Sequence, residues 1–195
     1  MDSTATAYST DNCDEIDITS ILAELEALRG PMGRTETERV LRRIAACPAQ
    51  LRALESFDTK VYRRNSFFKN EFVELLLLCW RPGQLTPIHD HAGSTCGVYV
   101  VRGHGTEVSF EKSGLDILLP TGRKELNVGE ITTAYDEEVH LLGNFCSPAQ
   151  DLVTLHCYSP PLKQMKVYPQ ADTFFANYEN LREDCSKSGK NEIRL

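Results

Sequence analysis

The chain has 195 residues, of which 41% are hydrophobic and 25% are charged, as in an ordinary soluble globular protein. This length suits one domain with a sizeable core. A net charge of -7 excludes the Lys and Arg excess that binding to a nucleic-acid backbone requires. The longest apolar run, Leu75 to Trp80, is too short to span a bilayer, and the N-terminus lacks the basic start and apolar segment of a secretory signal. We therefore expect a cytoplasmic protein with no nucleic-acid partner and no membrane partner.

The first third of the chain predicts helices. Residues 1–16 are polar and rich in Ser, Thr and Asp, which predicts a disordered tail. A first helix is indicated by apolar residues at helical spacing, namely Ile18, Ile21, Leu22, Leu25 and Leu28. The pair Thr35 and Glu38 has the spacing of a capping box and predicts the start of a second helix, and Pro48 suits the first turn of a third. We expect these helices to form a layer that covers a sheet.

From about residue 61 the pattern changes to short apolar runs separated by glycine and other turn residues. Many short strands without intervening helices predict an antiparallel barrel or jelly roll. The domain is expected to end near residue 175, and residues 176–195 form a polar C-terminal extension. The candidate strands are 72–80, 85–91, 96–102, 106–112, 115–119, 131–134, 139–144, 150–158 and 165–168.

The chain has seven cysteines, an odd number with no CxxC pair. This pattern excludes a regular disulfide framework and a zinc ribbon. We expect most of these cysteines to be reduced and several to serve as small apolar residues of the core.

A set of histidines carries the strongest functional signal. His89 and His91 are two residues apart on a predicted strand, so their side chains leave the same face. An imidazole from a distant strand, His140, could complete a metal site with open positions for ligands. Three neutral ligands supply no negative charge, unlike a site with two histidines and one carboxylate, and this favours an anionic substrate ligand such as a thiolate. The residues of this constellation, with their spacing glycines, are Gly83, His89, His91, Cys96, Gly103, Gly129, His140 and Asn144.

This spacing resembles the two sequence motifs of the cupin superfamily, G-x5-H-x-H-x4-E-x6-G and G-x5-P-x-G-x2-H-x3-N. The chain departs from them in three places. Cys96 stands where the first motif has a glutamate ligand, and Tyr135 and Glu137 stand where the second has Pro and Gly. The resemblance implies a mainly β fold, a cupin-type antiparallel β-barrel (jelly roll), with about three N-terminal α-helices in a single domain over residues 17–175.

Two further segments make the resemblance more specific. Tyr62-Arg63-Arg64-Asn65 is similar to a Tyr-x-Arg-Asn segment of cysteine dioxygenases, the thiol dioxygenase branch of the cupins. The segment from Thr154 to Pro161 is similar to their Ser-x-His-x-Tyr-Ser-Pro-Pro segment, with Thr154 in place of Ser. The resemblance covers about residues 18 to 169.

The resemblance implies an enzyme that converts L-cysteine and dioxygen to cysteine sulfinic acid at one Fe(II) per chain, held by His89, His91 and His140. The substrate carboxylate would pair with Arg64. Tyr158, oriented by His156 with the Thr154 hydroxyl beside it, would donate a hydrogen bond to the substrate or to dioxygen. We expect a monomer. The other residues expected at the pocket are Tyr62, Leu78 and Trp80.

In animal members of the family, a cysteine beside the first motif is joined to the tyrosine by a thioether bond. Cys96 and Tyr158 match these positions, so the resemblance implies the same cross-link here. The alternative reading of Cys96 is an inert buried thiol.

Three alternatives to this function stay open at the level of sequence. A 3-mercaptopropionate dioxygenase would share the metal chemistry, although relatives of that type tend to lack the arginine and the cysteine that Arg64 and Cys96 match. A metal-binding cupin without turnover is disfavoured by the presence of Arg64 and Tyr158. A zinc or nickel enzyme fits the histidines equally well, because three imidazoles alone do not select the metal. The remaining histidine near these motifs, His104, is expected to be a solvated turn residue.

Overall fold

The computed structural model describes residues 17–113, 118–145 and 150–168. The predicted tail at 1–16 and the predicted extension at 176–195 lie outside these residues. Among the described residues there are three helices, α1 (Ile18–Glu26), α2 (Arg34–Ala45) and α3 (Pro48–Ala53). None of them is long and apolar enough to cross a membrane.

The start of α2 differs from the prediction. The helix begins one residue before Thr35, with Gly33 as the N-cap, and the backbone N–H of Gly33 donates to Glu36 Oε2 at 3.0 Å. The capping box at Thr35 and Glu38 was therefore wrong, because Glu36 already fills the third helical position and satisfies the free N–H of the cap.

Ten strands form two five-stranded antiparallel sheets in the described part of the chain. The first, here called the helix-covered sheet, has the order β1-β2-β9-β4-β7. The second, here called the histidine sheet, has the order β10-β3-β8-β5-β6. The strands are β1 (Arg63–Lys69), β2 (Glu74–Trp80), β3 (Ile88–His89), β4 (Thr95–Arg102), β5 (Gly105–Lys112), β6 (Leu118–Leu126), β7 (Ile131–Tyr135), β8 (Val139–Gly143), β9 (Leu152–Ser159) and β10 (Val167–Tyr168).

This architecture confirms the predicted fold class, a mainly β, antiparallel jelly roll with a layer of N-terminal helices. No strand pairing joins the two sheets along the described residues, so they face each other as a two-layered arrangement and do not close into a continuous barrel. Strand order in the helix-covered sheet mixes early and late strands, as Greek-key connections require.

Alternation along the strands of the helix-covered sheet separates two cores. On β2 and β9, the odd-numbered positions such as Leu75, Leu77 and Leu155 pack against the helices. The even-numbered positions such as Leu76 and Leu78 face the histidine sheet. Because both faces of β2 are buried, its sequence is a continuous apolar run and does not alternate. The space between the two sheets is where the functional side chains converge.

Helix α2 lies directly on β4 at Gly97. A Cβ at this position would stand 2.6 Å from Thr37 Cγ2 and 2.8 Å from Leu41 Cδ1, both on α2. Only glycine allows this separation between helix and sheet without displacing the helix.

Three strands differ clearly from the predicted set. One of them, β3, covers only Ile88–His89 of the predicted 85–91. Strand β1 was absent from the predicted set, and β6 runs over Leu118–Leu126 instead of 115–119. Both lie at sheet edges and are largely exposed, so their polar residues carry no apolar alternation. Pro120 is tolerated inside β6 because an edge strand leaves one row of backbone groups unpaired.

Candidate metal centre and pocket

Three histidines meet at the inner face of the histidine sheet. His89 on β3 and His140 on β8 are direct cross-strand partners. His91 follows two residues after His89, and its backbone N–H donates to Asp136 O at 2.9 Å. One potential ligand atom from each of the three lies within 4.8 Å of the others, and all three residues are buried. The predicted metal ligands are therefore brought together.

Asp90, which lies between His89 and His91, directs its side chain away from the three-histidine cluster. The Asp90 carboxylate accepts hydrogen bonds from the Lys166 backbone N–H at 3.1 Å and from the Tyr168 hydroxyl at 2.8 Å. It thereby ties the segment that ends in β10 to β3. This alternation is what the His-x-His spacing predicts, with both imidazoles on one face and the intervening side chain on the other.

Hydrogen bonds orient two of the imidazoles for metal binding. His89 Nδ1 lies 2.9 Å from Pro87 O, and His140 Nδ1 lies 2.6 Å from Glu107 Oε1. A carbonyl and a carboxylate can only accept, so both Nδ1 atoms carry hydrogen and donate. In the neutral rings, this leaves the Nε2 lone pair of each available to a metal.

His91 indicates most directly that a ligand belongs here. Both of its ring nitrogens are buried, and neither has a hydrogen-bond partner among the described residues. Burial, followed by the neighbouring His140 and His89, lowers the pKa of His91 to about 2, and burial with His140 lowers that of His89 to about 4. Buried polar atoms normally have partners. Neutral imidazoles with free lone pairs fit a divalent transition metal such as Fe(II).

Glu107 on β5 supports this centre, although the sequence reasoning did not single it out. Its second carboxylate oxygen accepts from the Thr132 hydroxyl at 2.7 Å. Burial alone would raise the pKa of Glu107, but the hydrogen bonds from His140 and Thr132 outweigh it and the pKa lies below its ordinary value. Glu107 is therefore a carboxylate. Its relation to His140 depends on the register that pairs Ser109 with His140, and no motif in the sequence gives that register.

A small pocket lies between the two sheets and contains two of the three histidines. It holds about 340 Å³ of empty space, including its open mouth. Two predicted site residues, Trp80 and Thr154, are not among the residues that line the pocket. Thr86, Val98, Leu142 and Met165 line the pocket but were missed, because apolar and small polar residues on strands look like ordinary core. The predicted residues that do line it are Tyr62, Arg64, Leu78, His89, Cys96, His140, His156 and Tyr158.

Arg64 stands at the mouth of the pocket. It is the cross-strand partner of Leu78, while the partner of Arg63 is Cys79 on the opposite face. The Arg64 residue as a whole is exposed, and its guanidinium lies 5.9 Å from the centroid of the Tyr158 ring. Burial lowers the pKa of Arg64, but the nearby Tyr158 and Tyr62 outweigh it and raise that pKa. The Arg64 cation therefore lies at the pocket beside two tyrosines, and neither of these neighbours is a carboxylate.

A chain of hydrogen bonds runs from the core to the pocket. Trp80 Nε1–H donates to Thr154 Oγ1 at 2.8 Å, and Thr154 Oγ1 lies 2.8 Å from His156 Nε2. Burial, with the nearby Arg64 charge, holds the pKa of His156 well below its ordinary value, so the ring is neutral. After it accepts from Trp80, the Thr154 hydroxyl keeps its own hydrogen and a second lone pair, and donation of that hydrogen to His156 Nε2 is one of the two arrangements that satisfy both groups.

That donation would fix the other end of the chain. If His156 Nε2 accepts, the hydrogen of the neutral ring is on Nδ1, which lies 3.4 Å from the Tyr158 hydroxyl oxygen. Burial raises the pKa of Tyr158 well above its ordinary value, so the phenol keeps its proton. Trp80 thus positions the Thr154 hydroxyl that contacts His156, and it also stacks on Tyr62 with ring centroids 4.3 Å apart.

Cys96 and Tyr158 are neighbours across two strands. Cys96 on β4 is the direct cross-strand partner of Tyr158 on β9, and both face the space between the sheets. Side chains in such a pair are in contact range. Burial raises the pKa of the Cys96 thiol, although its hydrogen bond with Tyr158 acts in the opposite direction. The thiol and the phenol are both neutral.

The turn before His140 forms although Tyr135 and Glu137 stand where the cupin motif has Pro and Gly. Asp136, between Tyr135 and Glu137, takes a positive φ of 45°. Asp136 Oδ1 accepts from the Gly93 backbone N–H at 2.8 Å, which joins this turn to the loop after His91. Asp tolerates the left-handed region better than most residues, so the replacement preserves the approach of His140.

His104 was expected to be a solvated turn residue, but its ring contacts two side chains. Its ring nitrogens lie 2.6 Å from Glu125 Oε2 and 3.2 Å from Asn127 Oδ1. It directly precedes β5 and is not among the residues that line the pocket.

Comparison with known proteins agrees with this site. The family model described as cysteine dioxygenase type I matches residues 20–171. Proteins named "Cysteine dioxygenase type 1" from Rattus norvegicus and Mus musculus are each 29% identical over 158 residues, covering 79% of this chain and 78% of theirs. The Homo sapiens protein of the same name is 27% identical over 139 residues, covering 69% of each chain.

Solved structures give a weaker likeness. A Klebsiella pneumoniae protein with a double-stranded beta-helix domain has a TM-score of 0.49 and 16% identity, covering 62% of this chain and 89% of that one. That likeness is too low to support an inference, whereas the family match extends over most of the chain. The chain belongs to the cysteine dioxygenase type I family.

Proposed function

We propose that this chain is a thiol dioxygenase that converts L-cysteine and dioxygen to cysteine sulfinic acid at Fe(II) held by His89, His91 and His140. The observation that carries the proposal is the pocket itself, which is lined by Arg64 together with two imidazoles of the three-histidine cluster. Family membership supports the same conclusion.

One Fe(II) per chain would supply positions for the substrate sulfur and for dioxygen, together with the electrons that activate dioxygen. In the overall reaction the O–O bond breaks and two S–O bonds form, so a thiol becomes a sulfinic acid. Both oxygen atoms come from one dioxygen, and no outside reductant is needed. The protein's part is to hold the substrate, exclude water and place one proton donor.

Arg64 is the proposed binding group for the substrate carboxylate. A guanidinium can hold a carboxylate with two parallel hydrogen bonds, and such charge-assisted bonds are the stronger kind. Tyr62 and Tyr158 lie close to it and line the same pocket, so they would help to hold the guanidinium beside the bound substrate. Cysteine and 3-mercaptopropionate both carry this carboxylate, while cysteamine does not.

Tyr158 is the proposed proton donor to the bound substrate. Its hydroxyl lies 3.4 Å from His156 Nδ1 and close to Arg64, and in this proposal its hydrogen is donated to the bound substrate. The buried Trp80, Thr154 and His156 maintain that direction. Leu78 and Tyr62 cover the remaining wall and limit access of water.

A thioether between Cys96 Sγ and the Tyr158 ring is part of the proposal. Its formation replaces one S–H and one ring C–H bond by an S–C bond, with dioxygen as the oxidant that takes up both hydrogens. Chain isolated after turnover would then be lighter by two hydrogen atoms in intact mass measurement. An unchanged mass after many turnovers would rule the cross-link out.

The substrate assignment is tested by oxygen consumption with L-cysteine, 3-mercaptopropionate and cysteamine on the Fe(II)-loaded chain. We expect cysteine to be preferred, and Arg64→Ala to lose about 10- to 100-fold in kcat/KM for it, because a hydrogen bond to a charged group contributes about 1.5–3 kcal/mol. Activity with cysteamine, already low, should barely change in Arg64→Ala.

Arg63→Ala is the matched control, since Arg63 pairs with Cys79 on β2 and is absent from the pocket lining. It should behave as the wild-type chain. A strong preference for 3-mercaptopropionate would retain the iron chemistry and overturn the assignment of cysteine as substrate. An equal loss of kcat/KM in Arg64→Ala and Arg63→Ala would contradict the proposed role of Arg64.

A further inference from the structure

Glu107 is the only acidic side chain in contact with the three-histidine cluster along the described residues. It is 7% exposed, and its two oxygens accept from His140 Nδ1–H at 2.6 Å and from the Thr132 hydroxyl at 2.7 Å. Glu107 is not among the residues whose ligand atoms converge in the cluster. The carboxylate acts on the cluster through His140.

The charge of Glu107 is not cancelled by these two contacts. One partner is a hydroxyl, and the other is an imidazole that must be neutral to offer its Nε2 lone pair to a metal. Lys124, opposite Glu107 on β6, lowers the pKa of Glu107 but is exposed and forms no salt bridge with it within the described residues. Burying a carboxylate with so little opposite charge is unfavourable. A divalent cation on the far side of the His140 ring would supply that opposite charge at short range.

We propose that Glu107 is a positioning residue that fixes His140 through Nδ1 and gives the metal centre the negative charge that three histidines lack. This inference rests on the proposed metal centre and adds to it a fourth residue, one step removed from the metal. The carboxylate that cupin motifs place among the ligands is replaced here by Cys96, and its charge is provided through a histidine instead.

Substitution of Glu107 by Gln separates charge from shape. The amide oxygen of Gln can still accept from His140 Nδ1–H, but the negative charge is gone. We expect Fe(II) to dissociate about 10- to 100-fold more readily from Glu107→Gln, as for other groups that orient metal-binding histidines. The dissociation constant would be measured without oxygen, by competition with a chromogenic chelator, on metal-free chain.

The chain provides a matched control in its second Glu–His pair. Glu125 Oε2 lies 2.6 Å from His104 Nε2, the same distance as in the Glu107–His140 pair, but His104 is not part of the cluster. Glu125→Gln should therefore bind Fe(II) as the wild-type chain does. Equal weakening in the two variants would mean that net charge, and not the contact with His140, is responsible.

The Fe(III)/Fe(II) midpoint potential gives a readout that a purely structural role would not move. A nearby negative charge favours Fe(III), so Glu107→Gln should have a higher potential than the wild-type chain, and Glu107→Asp, which keeps the charge, should lie closer to wild type. Unchanged affinity and unchanged potential in Glu107→Gln would overturn the proposal.

A measurement on the wild-type chain covers the case in which the variant fails to fold. Nitrogen-15 NMR of the metal-free chain near pH 8 should find His140 with its hydrogen on Nδ1, and a hydrogen on Nε2 alone would contradict the proposal. A wild-type chain that binds no iron would overturn both this inference and the proposed function. Normal iron binding without cysteine oxidation would overturn the function alone.

Discussion

At the scale of single residues, the direction of hydrogen bonds matters more than their number. Trp80 is a donor only, so the Thr154 oxygen must accept from it, and this bond fixes the position of the hydroxyl that contacts His156 Nε2. A residue outside the pocket lining thus controls the group that faces the substrate. Trp80 was expected to be a pocket wall, and it acts from behind the wall instead.

Replacement of Thr154 by Val tests this chain of bonds. The substitution preserves shape but leaves Trp80 Nε1–H and His156 Nε2 without their partner. We expect the free energy of unfolding to fall by about 1–3 kcal/mol for each buried group left unsatisfied. We also expect kcat with cysteine to fall while Fe(II) affinity stays unchanged, because Thr154 contacts none of the three histidines.

The control for this variant is Thr133→Val on β7, outside the chain of bonds. Urea titration and steady-state kinetics on both variants provide the measurement. Wild-type kcat in Thr154→Val would show that the orientation of His156 does not matter for turnover.

At the scale of elements, the sequence predicted best where burial imposes a pattern. Strands β2, β4 and β9 are buried on both faces and were found within two residues at each end. The edge strands β1 and β6 are exposed and polar, and nothing in their composition distinguishes them from loops. The three histidines could be named from the His-x-His spacing together with the resemblance of the flanking residues to the cupin motifs. Glu107 depends on the pairing of β5 with β8, which is a property of the fold.

The contact between α2 and β4 gives a test at this scale. Gly97→Ala places a methyl group within 3 Å of Thr37 and Leu41, which are both fully buried and cannot move aside freely. Overpacking of this kind costs about 1–3 kcal/mol, so the thermal midpoint should fall. Gly122→Ala on β6 is the matched control, since a Cβ there meets nothing within 4 Å. Equal midpoints in the two variants would contradict the close packing of α2.

At the scale of the whole molecule, the cluster of neutral histidines makes the metal-free fold sensitive to acid. The pKa of His89 is lowered from 6.5 to about 4 by burial and by His140, so the unfolded chain binds this proton first as the pH falls. The contribution of the neutral His89 to the free energy of unfolding is therefore fully present above about pH 6.5 and is lost as the pH falls toward 4.

The location in the cytoplasm and the monomeric state expected from the sequence stay predictions.

Chemical denaturation of the metal-free chain between about pH 7 and pH 5 measures this loss. We expect about 2 kcal/mol from His89 alone over that range, because each unit of pKa shift corresponds to about 1.4 kcal/mol. His104→Asn should show the same loss, since the pKa of His104 is raised, chiefly by its hydrogen bond with Glu125, and its contribution is retained in acid. A free energy of unfolding that does not change over this range would contradict neutral, buried histidines in the cluster.

The central claim is that this three-histidine pocket adds both atoms of one dioxygen to a thiol. The most direct test supplies isotopically labelled dioxygen to the Fe(II)-loaded chain with L-cysteine and determines the product by mass spectrometry. The proposed function predicts cysteine sulfinic acid that carries two labelled oxygen atoms, and no product from His140→Ala. A chain that binds one iron yet forms no sulfinate, or a sulfinate with one oxygen from water, would contradict it.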